Sequence, residues 1–447
     1  MPAPRNPIGN AIAAGAHPVT GAPGDYDGLL ALVADAQVVL LGESTHGTHE
    51  FYAERARITE RLIREKGFCA VAVEADWPDA YRINRYVRAA GGDRSALAAL
   101  DGFRRFPSWM WRNTDVLRFV DSLRTHNDAL PGERRVGFYG LDLYSLYSSI
   151  AEVLHYLDQV DPDAARSARQ RYACFDHYDE DSQAYGHAAA SGLSEACEAG
   201  AVAQLHQLQQ RAAAYMQQDG ASAEDAFFHA QQNARLVINA EQYYRTMFHG
   251  RVASWNLRDR HMADTLDALI AHLQATRGGN PAKVVVWAHN SHIGDARATE
   301  VHQLGEFNVG QLVRERFGDR AFLVGCTTHH GWVTAASRWD GPAQRKQVLP
   351  ALPGSVEAML HASLPANFCL SLSGNRAVAD AFGEPQLERA IGVLYLPATE
   401  RQSHYFFARL AQQFDALLHI DGSTAVTPLE TIGRLGAEAP ETYPAGL

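Results

Sequence analysis

The stretch VVLLGESTHGTHEFYAERARI, Val38 to Ile58, ends an apolar run in a glycine and then presents a glutamate, a serine and two histidines. Glu43 and His46 stand three residues apart, near enough to share one pocket across a tight turn. An imidazole takes a proton from water near neutral pH, and a carboxylate beside it fixes the ring tautomer and stabilises the imidazolium that forms. A second histidine or an arginine then holds the oxyanion of an attacked carbonyl. Such groups recur elsewhere along the chain. AVAVEADW ends in Glu74, Asp76 and Trp77, and VGFYGLD ends at Asp142. VVVWAHNSH delivers His289, Asn290 and His292, and FLVGCTTHHG delivers Thr328, His329 and His330. The set suits hydrolysis by an activated water. Singly, a polar residue after an apolar run is also an ordinary helix cap or turn former, a reading that fits Asp76 and Asn290.

These residues need elements that bring them together. Short β-branched runs lie at Gln37–Gly42, Cys69–Ala75, Arg135–Asp142, Lys283–Asn290 and Ala321–Thr328, with weaker ones at Phe368–Ser373, Ile391–Leu396 and Ala416–Asp421. Several are apolar on both faces, as strands sandwiched between helix layers are. Helical periodicity fills the intervals, for example at Glu50–Lys66 and Arg258–Thr276. The alternation predicts an α/β fold with a mostly parallel central sheet flanked by helices. Ligands of such sheets bind at the carboxyl ends of the strands, where the polar residues above stand. One segment breaks the pattern. Residues 148–248 show no convincing strand, and Phe227, Ala230, Ala234, Val237, Tyr244 and Phe248 repeat at steps of three and four as one buried helical stripe. We therefore divide the chain into a core of residues 1–147 and 249–447 and a helical-bundle insertion of residues 148–248.

Composition narrows the function classes. The 447 residues include 46% hydrophobic types, enough for a large core, and the net charge of −11 speaks against nucleic acid or an anionic membrane as partner. No run reaches the roughly 18 apolar residues of a membrane span. Cys69, Cys174, Cys197, Cys326 and Cys369 are odd in number and widely spaced, without a CxxC, which predicts reduced and mostly buried thiols in a cytoplasmic protein. The histidines His177, His187, His206, His229 and His272 show no partner pattern and read as surface or structural groups.

Three other chemistries compete with the activated water. GESTHG resembles a nucleophile elbow, but the fifth position of Gly-x-Ser-x-Gly is His46, so Ser44 lacks the strained turn of a nucleophile. His46 and His49, with Glu74 and His289, offer a ligand set for a divalent metal, although no HExxH is present. A binding protein without catalysis would have little use for so many titratable groups.

On LLGESTHGTHEFYAERARI, AVAVEADWPDAYRIN, GFYGLDLYS, YYRTMFHGRVASWNLRDRHMADTL, VVVWAHNSHIGDAR and NVGQLVRERFGDRAFLVGCTTHHGWVTAA, the chain resembles the erythromycin esterase family. The likeness extends to SHYFFARLAQQFDALLHIDGSTAVTPLE and so covers most of the sequence. The resemblance implies an α/β core with a helical insert, a cleft between them, and hydrolysis of a lactone or ester by water with no acyl-enzyme, no required metal and no cofactor. It implies His46 as general base, Glu43 beside it, Glu74 as a second essential glutamate and His289 as a second active histidine. Arg55 and Arg258 are then the charged groups that orient water or hold the oxyanion, with Asp142 and Asn290 behind them. A large apolar substrate needs aromatic walls, which Trp77, Phe106, Trp109, Trp111 and Tyr144 would supply. The segment Phe106–Val116 fits either a cleft wall or a helix packed on the sheet. The expected partner is a small-molecule ester or lactone, opening of a macrolide ring is the expected resistance activity, and the oligomeric state is not readable.

Overall fold

The computed structural model describes residues 7–178, 180–193, 196–217 and 221–430. Its strands are β1 (Ala16–Pro18), β2 (Val38–Leu41), β3 (Ala70–Asp76), β4 (Gly137–Asp142), β5 (Val284–Trp287), β6 (Ala321–Ala335), β7 (Gln344–Val348), β8 (Phe368–Ser371), β9 (Gln386–Arg389), β10 (Tyr405–Ala408) and β11 (Ala416–Ser423). The main sheet runs β1-β8-β11-β6-β2-β5-β3-β4, with β7 added to β6, while β9 and β10 form a separate antiparallel pair. From β11 to β4 every neighbouring pair is parallel; β1, β8 and β7 join antiparallel. The fold is thus the mostly parallel α/β sheet expected from the sequence.

Why the central strands read as continuous apolar runs is visible in their burial. Val38 and Leu40 of β2 join one core, together with Ala70, Ala72, Val284 and Val286. Val39 and Leu41 join the other, with Val71, Val73, Val285 and Trp287. Successive side chains of a strand point to opposite faces, so a strand covered on both sides needs apolar residues at every position. Among the described residues between β4 and β5 there is no strand; helices run from Leu146 to Thr276, the last two being Ala221–Thr246 and Arg251–Thr276. The stripe read on the first of these is buried at Phe227, Ala230, Ala234, Val237 and Tyr244. Phe248 is 38% exposed, because the helix ends two residues before it.

Two sequence expectations change. Ile391–Leu396 is not a strand of the sheet. Instead it crosses the strand exits through single bridges, Ile391 to Thr45 and Leu394 to Ala336, and the Ile391 amide donates to the Ser44 carbonyl at 2.7 Å. The five cysteines are not all reduced either: Cys174 and Cys197, brought to a Cα separation of 6.0 Å by the helical segment, form a disulfide. Cys69, Cys326 and Cys369 are free and buried.

The chain switches direction across the sheet at β2, which has β5 on one side and β6 on the other. A crevice opens at the carboxyl edge of such a switch point. Two glycines shape it. A Cβ on Gly42 would lie 2.1 Å from Asn290 Oδ1 and 3.1 Å from the Val324 carbonyl, so the apolar run must end in glycine for the loop after β5 to close on it. A Cβ on Gly47 would lie 1.8 Å from the Thr334 carbonyl of β6, and the Gly47 carbonyl accepts from the amides of Thr334 and Val426, each at 3.0 Å. Gly47→Ala must push two backbones apart beside His46. It is expected to destabilise the protein by about 1–3 kcal/mol or more, measured as a lower urea midpoint, whereas Gly67→Ala, with open space around its Cβ position, tests only the left-handed backbone.

Candidate active site

His46 is held from three sides. Its Nδ1 lies 2.9 Å from Glu43 Oε1, its carbonyl accepts from Tyr52 Oη at 2.8 Å, and Gly47 ties the next peptide to β6. Glu43 gives its second oxygen to Arg55 Nη2 at 2.6 Å. Arg55 reaches back from helix His49–Lys66, and its guanidinium lies over the rings of Tyr52 and Trp287, 4.5 and 5.0 Å from their centroids. Glu43 and Arg55 are both 1% exposed. With Nδ1 turned to a carboxylate, His46 has Nε2 left to act on whatever enters the cavity that it borders.

A second group of charges faces it. Glu74, at the end of β3, accepts from the His289 amide at 2.8 Å through Oε2 and from Arg258 Nη2 at 2.8 Å through Oε1. Arg258 comes from helix Arg251–Thr276 and also donates to Asp142 at the end of β4, from Nη2 at 2.6 Å and from Nε at 3.0 Å. Burial pushes the Glu74 carboxyl up, but the His292 and Arg258 charges win and hold it well below the usual carboxylate range. Arg258 is held well above its ordinary value: burial opposes its charge, and Asp142, Tyr144 and Glu74 more than offset that.

The two histidines after β5 differ in charge. Burial, reinforced by His46, drags His289 down to about 3, so its ring is neutral near pH 7. The Ser291 amide donates to His289 Nδ1 at 3.2 Å, which places the ring proton on Nε2. That Nε2 is buried and makes no hydrogen bond. His289 and His46 face each other across 4.8 Å between ring centroids. Burial also opposes the charge of His292, but the carboxylates of Asp259 and Glu74 overcome it and push the ring up to about 9. His292 Nδ1 lies 2.9 Å from Asp259 Oδ1 and Nε2 lies 3.3 Å from Glu74 Oε1, with the Trp255 ring stacked on it at 4.5 Å.

These groups open on one cavity of about 360 Å³. His46, Glu74, Asp142, Arg258, His289 and His292 form its polar end. Its walls are apolar: Tyr144, Tyr243, Trp255, Trp339, Val393 and Leu394 among others. The run Ile391–Leu396, read from sequence as a strand, supplies part of this wall. Tyr243, on the helix that carries the buried stripe, supplies another part. Tyr243 and Tyr244 are both buried in the same core, and only Tyr243 also reaches the cavity.

Several expected positions lie elsewhere. Trp77 does not border the cavity; it is buried between Tyr139 and Phe228, with Nε1 donating to His229 Nδ1 at 3.0 Å. Trp109 packs into the core on the other face of the sheet, while its neighbours Pro107 and Met110 line the cavity, so Phe106–Val116 is both wall and packing. Asn290 is a structural pin, donating to the Cys326 carbonyl at 2.7 Å and accepting from the Cys326 amide at 3.1 Å. Asp76 likewise accepts from Arg105 and from the Ser145 amide. Glu43 and Arg55 stand behind His46 rather than on the cavity surface. Ser44 Oγ is buried without a hydrogen-bond partner, so no histidine activates it as a nucleophile. His49 turns away to Asp115 at 2.8 Å, and Glu74 spends both oxygens on Arg258 and the His289 amide; the metal set read from His46, His49, Glu74 and His289 does not converge.

His292 couples the site to pH. Its proton affinity in the fold exceeds that of a free imidazole, so the stability it contributes is fully present below about pH 6.5 and is lost as pH rises through about 9. The size is on the order of 3 kcal/mol at most. Thermal unfolding followed from pH 6 to 10 should show this loss, and His292→Gln should flatten it; an unchanged profile in the variant would place the titration elsewhere.

Comparison with known proteins identifies the family and the fold. The family model described as "Erythromycin esterase" matches residues 63–423. The Escherichia coli protein named "Erythromycin esterase type II" is 22% identical over 322 residues, covering 70% of this chain and 73% of its own length. A structure described as a succinoglycan biosynthesis protein superposes with a TM-score of 0.76 at 22% identity, covering 94% of this chain and 97% of that one. A mutant of erythromycin esterase EreC in its open conformation gives 0.65 at 17% identity, covering 91% and 95%. At these identities the two structures establish the fold, and the family match over most of the sequence supports hydrolase chemistry. This chain belongs to the erythromycin esterase family.

Proposed function

We propose that the protein hydrolyses a carboxylic ester, with a macrolactone as the substrate class, by general-base activation of water. The observation that carries this reading is the pair His46–Glu43 facing a neutral His289 across the polar end of an apolar cavity. His46 Nε2 takes a proton from water as the water oxygen attacks the carbonyl carbon. Glu43 stabilises the imidazolium that forms, and Arg55 keeps Glu43 aimed. The oxyanion is placed against His289 Nε2–H, a buried donor otherwise without a partner. Collapse breaks the C–O bond to the alcohol, and His46 returns its proton to the leaving alkoxide. Acid and alcohol leave; in a lactone they remain one molecule, opened.

Glu74 holds His289 in place by accepting from its amide, and Arg258, itself anchored on Asp142, holds Glu74. The apolar walls support a large, weakly polar substrate, and macrolide resistance is the activity proposed for it. Three free buried thiols support a cytoplasmic location, with the Cys174–Cys197 disulfide as the observation against it.

The reaction is tested by mass spectrometry of a macrolide panel and of simpler esters after incubation, looking for a gain of one water. His46→Asn is expected to lower kcat by about 10²–10⁴-fold with little change in KM, as removal of a general base does. A parental rate in that variant sinks the assignment of the base. Ligand binding with no turnover by the parental protein would make it a binding protein. His289→Ala is expected to lower kcat by about 10²–10³-fold, the cost of losing one oxyanion donor.

A further inference from the structure

A second group of histidines lies outside the cavity. Where β6 leaves its pairing with β2, it carries His329 and His330, whose Nδ1 atoms lie 3.0 Å apart. His361, from helix Val356–Ser363, stacks on His329 with ring centroids 3.8 Å apart and planes 4° from parallel. One nitrogen from each of the three rings lies within 4.8 Å of the other two. On the neighbouring strand β11, Asp421 Oδ1 accepts from His361 Nδ1 at 2.6 Å and lies 3.4 Å from His419 Nε2. The other nitrogen of His419 is taken by Thr327 Oγ1 at 2.9 Å.

The proton bookkeeping of this group is informative. His361 spends its Nδ1 proton on Asp421, so as a neutral ring it offers the Nε2 lone pair. Two Nδ1 atoms at 3.0 Å attract each other only when something positive lies between them, either a ring proton or a cation. A carboxylate that orients one imidazole from behind is the arrangement that makes a histidine a stronger metal ligand. Three imidazoles with no thiolate, and the carboxylate already engaged, suit zinc, nickel or copper rather than magnesium or calcium.

We propose that His329, His330 and His361 form a binding site for a divalent transition-metal ion, zinc in the first instance, with water completing the coordination. In a tetrahedral zinc site with Zn–N near 2.0–2.1 Å, ligand nitrogens stand about 3.4 Å apart. The longest separation here must therefore close by at most about 1.4 Å. His330 is exposed, which leaves its ring room to turn toward the other two. None of the three histidines borders the hydrolytic cavity, so the site is distinct from it. A bound ion would tie β6 to helix Val356–Ser363 and, through Asp421, to β11. The connection continues toward the cavity wall: Arg389 donates to the His329 carbonyl at 3.0 Å, and the next residue, Ala390, borders the cavity.

Calorimetric titration of zinc chloride into the chelator-treated full chain tests the site. One ion per chain is expected, with a higher melting temperature in its presence and, with cobalt(II) instead, visible absorption of the intensity that a four-coordinate nitrogen site gives. His330→Ala and His361→Ala are each expected to weaken binding by at least about 10-fold, and Asp421→Asn by about 10–100-fold. His330 is exposed, so its variant keeps the fold even where His361→Ala does not. The absence of saturable binding, or unchanged affinity in His330→Ala, overturns the proposal.

Discussion

Two carboxylates buried at the carboxyl edge of the sheet set the terms for everything around them. Glu43 is 1% exposed and Glu74 is 4% exposed, and an ionised carboxylate taken from water is tolerated only when it is paired and hydrogen-bonded. Arg55 meets the first and Arg258 the second. Both arginines come from long helices, one on each side of the sheet, so each ion pair fastens a helix layer to the strand exits. Removing one partner of a buried pair costs about 3–5 kcal/mol, because the other charge is then left uncompensated. The charges that position the histidines are therefore also the bolts between layers.

From that constraint follows a division of labour among histidines of the same sequence cluster. His289 and His292 are three residues apart, yet one is driven to about 3 and the other to about 9. The difference is one of partners. His292 lies between Asp259 and Glu74, while the His289 ring faces His46 and meets Glu74 only through its own amide. A neutral donor and a ring that keeps its proton near pH 7 are thus made from one residue type within a single short helical turn. The first can give a hydrogen bond to a growing negative charge, and the second keeps Glu74 ionised.

Much of this was legible in the chain, and the limits have physical reasons. Strand exits could be found because strands buried on both faces leave unbroken apolar runs, and the polar residues at their ends stand out. Periodicity says which side of a helix is buried, but not that a buried side borders a cavity, as Tyr243 does from within the core. Aromatics near an exit carry no sign of their direction: Trp77 and Trp109 follow the right strands and segments but point into the two cores. Asn290 has the residue type of a ligand contact, and the backbone of Cys326 claims it instead. The pairing of Cys174 with Cys197 depends on helix packing across 23 residues, which spacing alone does not encode.

The run Ile391–Leu396 shows why an apolar hexapeptide is an ambiguous signal. Such residues must be removed from water, and a sheet is only one way to do it. Here the backbone hydrogen-bonds to Ser44 and Ala336 on either side without a ladder, Val393, Leu394 and Leu396 border the cavity, and Ile391 and Tyr395 pack into a small core with Val333, Ala335 and Val348. The same passage bridges the loop that holds His46 to the extension of β6 that supports Gly47. A wall that contacts substrate is thereby tied by main-chain bonds to the loop that carries the base. Its apolar character then answers to two demands, exclusion of water from the polar end and contact with a ligand, and a ligand that satisfies the second strengthens the first.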